Sequence, residues 1–430
     1  FVLNGKTQEV EILTLEDCLR IGIDNNLSLE GKRKEIQKSK YGVSENRSKL
    51  LPQINAIAGY NNNFDPPVSV TDGSSYGVPY NITKTLQHSA NAGLEMQMPL
   101  FNQTLYTSMS IAKVMEEISR LSYGKAREDV ILQISKMYYL GQVTAEQIML
   151  IKANITRLEE LRDITQAFFD NGMSMEVDLK RVNINLENLK VQYDNAQAMM
   201  KQQLNMLKYI MDYPAEKEIA LTPVNTDSIT TVALTGLSEN IYELQLSQSQ
   251  VQLAERQKKI ITNGYIPSLS LTGSWRYAAY TDKGYHWFHS GPSNQWFRSY
   301  GVGLTLRIPI FDGLDKTYKI KKAMIDIENK RLAWEEARKN LQTQYLNAVN
   351  DLMNNQRNFK KQKDNYLLAE DVYAVTSDRY REGIASMTEV LQDEMQMSEA
   401  QNNYISAHYN YRVTNLMLLK LTGQIESLVK

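Results

Sequence analysis

The chain is written twice, and that duplication limits its fold more than any single residue does. Leu51-Pro52-Gln53-Ile54 recurs as Ile266-Pro267-Ser268-Leu269, 215 positions on, and Met98-Pro99-Leu100-Phe101-Asn102 recurs as Ile308-Pro309-Ile310-Phe311-Asp312, 210 positions on. A third pair, Gly172-Met173-Ser174 and Gly383-Ile384-Ala385, lies 211 apart. In that register Asp178 meets Glu389, Tyr193 meets Tyr404 and Ala196 meets Ala407. Landmarks that keep their order and spacing imply two copies of one structural unit. The copies are expected over residues 14–211 and 235–422, joined by a polar linker over 212–234 that carries Pro214 and Pro223.

Each copy reads as helix, hairpin, long helix, helix. Thr14-Leu15-Glu16-Asp17 has the form of a capping box, so a helix starts there. It is open to interruption at Asn25-Asn26 and stops before Pro52, because proline disfavours helix in its predecessor. After each Leu/Ile-Pro the apolar period changes to two. Leu269, Leu271, Gly273, Trp275 and Tyr277 alternate with serines, Thr272 and Arg276, and Val302, Leu304, Leu306 and Ile308 alternate with Gly301, Gly303, Thr305 and Arg307. Ala92, Leu94, Met96 and Met98 alternate with Gly93, Glu95 and Gln97 in the first copy. Hairpins are therefore expected over about 53–98 and 268–308, with long loops at about 62–88 and 281–298.

Asn102 and Asp312 stand where an N-cap belongs. No proline follows until Pro214 in the first copy, and none follows in the second. Long helices are expected over about 102–168 and 313–380, and 1.5 Å per residue makes the first roughly 100 Å long. In the second copy Leu341, Tyr345, Ala348, Leu352, Phe359, Tyr366, Ala369, Tyr373, Thr376 and Tyr380 keep a 3-4 spacing, the mark of a coiled-coil seam. Gly172 and Gly383 suit left-handed turns, after which helices return over about 174–210 and 386–421. The returning seam is spotted with small and polar residues, as in Ala400, Tyr404, Ala407 and Tyr411.

The expected class is mainly α with a β-barrel portion. A net charge of -1 gives no field for nucleic acid, and the single cysteine, Cys18, cannot make an intrachain disulfide. No apolar run approaches the roughly 18 to 20 residues of a spanning helix, so membrane insertion would use strands. Four strands cannot close a barrel, and lipid satisfies no backbone hydrogen bond, so several copies must pool their strands. No phosphate loop, nucleophile elbow or metal cluster appears, so no enzyme activity, cofactor or metal is expected. The nearest approach to a metal pair is His286 with His289. Trp275, Trp287, Phe288, Trp296 and Phe297 read either as an interfacial girdle or as a loop cluster packed on itself.

The doubled order of helix, hairpin after Leu/Ile-Pro, Pro-Leu/Ile-Phe-Asn/Asp and a Gly tip followed by Asp178 or Glu389 resembles the TolC outer-membrane efflux family, across about residues 14–422. The resemblance implies a homotrimer: a shared 12-stranded barrel in the lipid of a Gram-negative outer membrane, above a periplasmic helical tunnel. It also implies docking to a periplasmic adaptor at the tip turns Gly172 and Gly383, an inner-membrane transporter, and Pro52, Pro99, Pro267 and Pro309 at the barrel–tunnel junction. Family tunnels close at the tip through a tyrosine, an arginine and acidic residues. Tyr380 matches that tyrosine, Asp178 its partner, and Glu389 the first acidic constriction position. The second position holds Gln392 and the arginine position Ala385, which leaves Asp393 and Glu394 to supply charge nearby. Such a passive duct exports drugs or toxic compounds, with type I secretion as a further use. The competing reading is a soluble coiled-coil scaffold or tether, which leaves the two alternating hairpins unexplained.

Overall fold

A computed structural model describes residues 10–223, 236–282 and 296–429. His286, Trp287, Phe288 and His289, and residues 224–234 of the expected linker, lie outside the described residues. The strands are β1 (Glu11–Leu13), β2 (Gln53–Asn62), β3 (Val68–Asp72), β4 (Tyr80–Lys84), β5 (His88–Phe101), β6 (Ile219–Leu221), β7 (Ser268–Thr281) and β8 (Trp296–Arg307). The helices are α1 (Leu15–Asn25), α2 (Leu27–Ser48), α3 (Gln103–Asp170), α4 (Glu176–Met211), α5 (Tyr242–Asn263), α6 (Asp315–Arg381) and α7 (Met387–Leu421). Two compact units result: Phe1–Ile36 with Ser119–Gln248 and Leu332–Lys430, and Gln37–Ile118 with Ser249–Arg331. Each unit takes segments from both halves, so neither half is a compact body of its own.

The second unit holds one four-stranded antiparallel sheet in the order β2-β5-β7-β8. The two hairpins meet through their inner strands, from His88 opposite Thr281 to Pro99 opposite Ser270. Pro99 lies inside β5 rather than after it. Its missing N–H falls where the register shifts between Pro99 and Phe101, the place where a strand tolerates proline. The expected 62–88 loop contains a further hairpin, β3 with β4. The N-cap expectation splits between the copies. The Asn102 carboxamide accepts from the Thr104 N–H at 3.0 Å and so caps α3. Gly313 and Leu314 both take left-handed conformations before α6 begins, so Asp312 accepts instead from the Lys316 N–H at 3.2 Å.

In the first unit the Thr14 hydroxyl and Asp17 carboxylate form a reciprocal capping box on α1. Asn26 then explains the break between α1 and α2. Its backbone N–H closes α1 on Gly22, while its side-chain oxygen accepts from Leu29 and its amide donates to the Ile210 carbonyl at 2.7 Å. A parallel pair of β1 with β6 places Ile219–Leu221 inside the expected linker. The core gathers Leu19, Ile131 and Leu207 from the first half with Leu416 and Leu418 from the second. At Gly22, α1 approaches α3 so closely that a Cβ would lie 2.2 Å from the Ile134 Cδ1. The 68 residues of α3 and 67 of α6 make helices of roughly 100 Å each.

Candidate channel wall and helix tips

Parity divides the four strands into two chemically different faces. Along one rung Asn55, Glu95, Ser274 and Gly301 lie side by side, and the Arg276 guanidinium donates to Glu95 on the same face. One residue along, Ile54, Met96, Gly273 and Val302 form a rung on the opposite face, and Ala56, Leu94, Trp275 and Tyr300 form the next. Val302 is 80% exposed, so the apolar face is uncovered. Trp275 and Trp296 share that face with Tyr300, whereas Phe297, offset by one residue, faces the polar side. Among the described residues β2 and β8 each have a partner on one edge only. Such a sheet fits between lipid and water once its edges are paired.

The helix tips are built alike. The Met173 N–H reaches the Phe168 carbonyl at 2.8 Å and Gly172 reaches Phe169 at 2.9 Å. Ile384 reaches Arg379 and Gly383 reaches Tyr380 at the same two distances. Both are Schellman turns, with Gly172 at φ 73° and Gly383 at φ 76°, a region that glycine enters without Cβ strain. The helices that follow start differently. Ser386 caps α7 in a reciprocal box with Glu389, while Met175 at the start of α4 has no side chain able to cap.

The tip residues singled out in the sequence are distributed as follows. Tyr380, only 6% exposed, packs its ring on Phe168 and donates its hydroxyl to Thr165 at 3.3 Å, not to Asp178. Asp178 pairs with Arg181 at 3.3 Å, and Arg181 also donates to the Thr388 hydroxyl at 3.4 Å, which ties α4 to α7. Glu389 is engaged in its capping box. Gln392 is exposed and Asp393 half-buried, and neither makes a side-chain hydrogen bond among the described residues. Glu394 turns inward instead. It is 4% exposed, and burial raises its pKa against the opposing pull of the Arg157 guanidinium.

Above the tips runs a partly buried polar belt that the repeat did not reveal. Asn154 donates to Gln401 at 2.7 Å, Arg157 pairs with Glu370 at 2.9 Å, and the Tyr404 hydroxyl donates to Glu146 at 2.9 Å. The fully buried His408 accepts from the Arg412 Nε at 3.0 Å. Its signal in the sequence was the polar spotting of the returning seam.

An antiparallel sheet with one apolar and one polar face and, among the described residues, two open edges defines a channel protein of the barrel-forming kind. It is carried by a chain in which no described helix is long and apolar enough to cross a membrane. The chain belongs to the outer membrane efflux protein family, whose profile matches residues 21–211 and again 233–424. It is similar to outer membrane protein TolC of Vibrio cholerae, 21% identical over 399 residues that cover 89% of this chain and 84% of the relative. It is also similar to the probable efflux pump outer membrane protein TtgC of Pseudomonas putida, 23% identical over 83% of this chain and 75% of the relative. Its fold matches the solved structure of CusC at a TM-score of 0.78 and 16% identity, covering 95% of this chain and 91% of that one. The protein is an outer-membrane efflux duct, and the scaffold reading is set aside.

Proposed function

We propose that three copies of this chain pool their strands into one closed 12-stranded barrel and continue as a 12-helix periplasmic tunnel. The observation that carries this reading is that, among the described residues, β2 and β8 each have one unpartnered edge beside an exposed apolar face. The trimer serves as the passive exit of a tripartite system for small molecules, with an adaptor docking at the turns of Gly172 and Gly383 and an inner-membrane transporter below. Pro52, Pro99, Pro267 and Pro309 mark the change from barrel to tunnel. The mass of the detergent-solubilised particle tests the assembly: three chains are expected, and a conducting particle of one or two chains overturns it.

Tyr380, Asp178, Glu389, Gln392 and Asp393 set the narrowest point at the tips. Two contacts support this reading, Tyr380 with Thr165 and Arg181 with Thr388, because both join the α3–α4 hairpin to the α6–α7 hairpin. Single-channel conductance should rise in a Tyr380→Phe, Asp178→Asn double variant. Unchanged conductance removes both residues from the gate.

A further inference from the structure

One face of β8 is apolar from Tyr300 to Leu306, and Ile308, Ile310 and Phe311 extend the run, with Ile310 93% and Phe311 81% exposed. The strand from Tyr300 to Arg307, tilted by about 40°, rises roughly 18 Å, and the exposed Ile308, Ile310 and Phe311 carry the apolar run on toward the ~25 Å band of a membrane barrel. Beyond such a band the headgroup layer is about 5–8 Å deep. The end of α5 and the start of α6 follow directly. Lys321 stands about 9 Å along α6 from Asp315, and Lys258 and Lys259 lie within about two turns of the end of α5 at Asn263. A lysine stem reaches several ångströms further toward the headgroups.

Between these two helices runs a groove of about 960 Å³ whose charge changes along its length. At the end away from the sheet Arg331 is neutralised by Glu255 at 2.8 Å, and Glu328 also lines the wall. Met324 and Ile325 follow toward the sheet. At the sheet end stand Lys258, Lys259 and Lys321, none with a carboxylate partner among the described residues. The neighbouring Lys316 and Lys319 are each held by an aspartate, Asp312 at 2.8 Å and Asp315 at 2.7 Å. Lys321 lies instead over the ring of the exposed Tyr318, 5.6 Å from its centroid, and tyrosine is a residue of the headgroup layer. Three uncompensated ammonium groups beside an apolar band call for an anion.

We propose that the sheet end of this groove binds the phosphate of an anionic phospholipid from the leaflet that the apolar band enters. A headgroup of net negative charge suits it better than a zwitterionic one, whose own cation the lysines repel. The proposal rests on the membrane placement of the sheet and not on the number of copies assembled.

The test uses the purified full chain in neutral detergent, with Tm followed by tryptophan fluorescence during titration with phosphatidylglycerol or phosphatidylcholine. Phosphatidylglycerol should raise Tm by about 5 °C more than phosphatidylcholine does. That difference should vanish in a Lys258→Gln, Lys259→Gln, Lys321→Gln variant whose Tm in phosphatidylcholine matches the wild type. Equal responses of the wild type to both lipids, or an undiminished preference in the variant, overturn the proposal. Stabilisation by neither lipid overturns it together with the membrane placement. A variant weakened equally in both lipids assigns the lysines to contact with a neighbouring copy and overturns it too. Should the triple variant not fold, native mass spectrometry of the wild type decides, one retained phosphatidylglycerol per chain being expected and none being fatal.

Discussion

Glu128 is a carboxylate placed where charge is unwelcome. Burial pushes its pKa from 4.5 to about 7, against the pull of Lys420 and with the help of Glu426 and Asp129. Its folded pKa exceeds the unfolded one, so the stability it contributes is complete below pH 4.5 and is lost as pH rises through 7. Chemical denaturation at pH 5 and pH 8 should show the wild type losing more stability than Glu128→Gln. Cys18 makes a second case at this scale. It is fully buried, and burial drives its thiol to about 12. Maleimide should leave the folded protein unlabelled at pH 8 and label it once it is unfolded. Tyr380 separates two contributions: Tyr380→Phe loses only the bond to Thr165, about 1 kcal/mol, whereas Tyr380→Ala empties a packed site and costs about 3–5 kcal/mol. Urea melts of the two variants distinguish them.

At the scale of elements, strand parity makes the sharpest claim. Leu304 lies on the apolar face and Thr305 on the polar one. Leu304→Arg should cost roughly 2–4 kcal/mol of assembly into lipid, and Thr305→Arg close to nothing, as judged by the folded fraction in vesicles. The tips offer a gain instead. Met175 begins α4 without a cap while Asp178 occupies the third helical position, so Met175→Ser completes a capping box and should add about 1 kcal/mol to thermal or chemical stability. These elements also show what the sequence could convey. Residues 268–277 and 301–308 alternate for long enough to declare a strand and its two faces, whereas 278–281 and 296–300 do not alternate and their place in β7 and β8 came from the structure. A three-residue strand such as β1 or β6 has no room for a period, so its pairing depends on where Leu13 and Ile219 find a common core. Pro99 read as a boundary because proline usually stops a strand, yet a register shift accommodates it. At the tips, the family resemblance singled out Tyr380 and Glu389, but their partners Thr165 and Ser386 required the folded chain. The same holds for Arg181 and Thr388, which are neighbours only across helices.

For the whole molecule the interleaving of the halves matters most. The sheet is continuous only through β5 with β7, and the core joins Leu19 and Ile131 to Leu416 and Leu418. Residues 14–211 produced alone would keep β2 beside β5 but leave the β7 edge of β5 unpaired, and would hold half a core. They should show little protease-resistant structure, and adding residues 235–422 in trans should restore it. A half that folds by itself would show that the two copies do not depend on each other.

The two Schellman turns are built alike, yet the residues that open the next helices differ, methionine in one and serine in the other. A ring made from six identical half-length polypeptides would have to present the same chemistry at every tip. Covalent linkage of two unequal copies releases that restriction, so around the proposed ring hydroxyl-capped and uncapped tips alternate. A docking protein could then read two distinct sockets in each subunit where strict sixfold repetition would offer one.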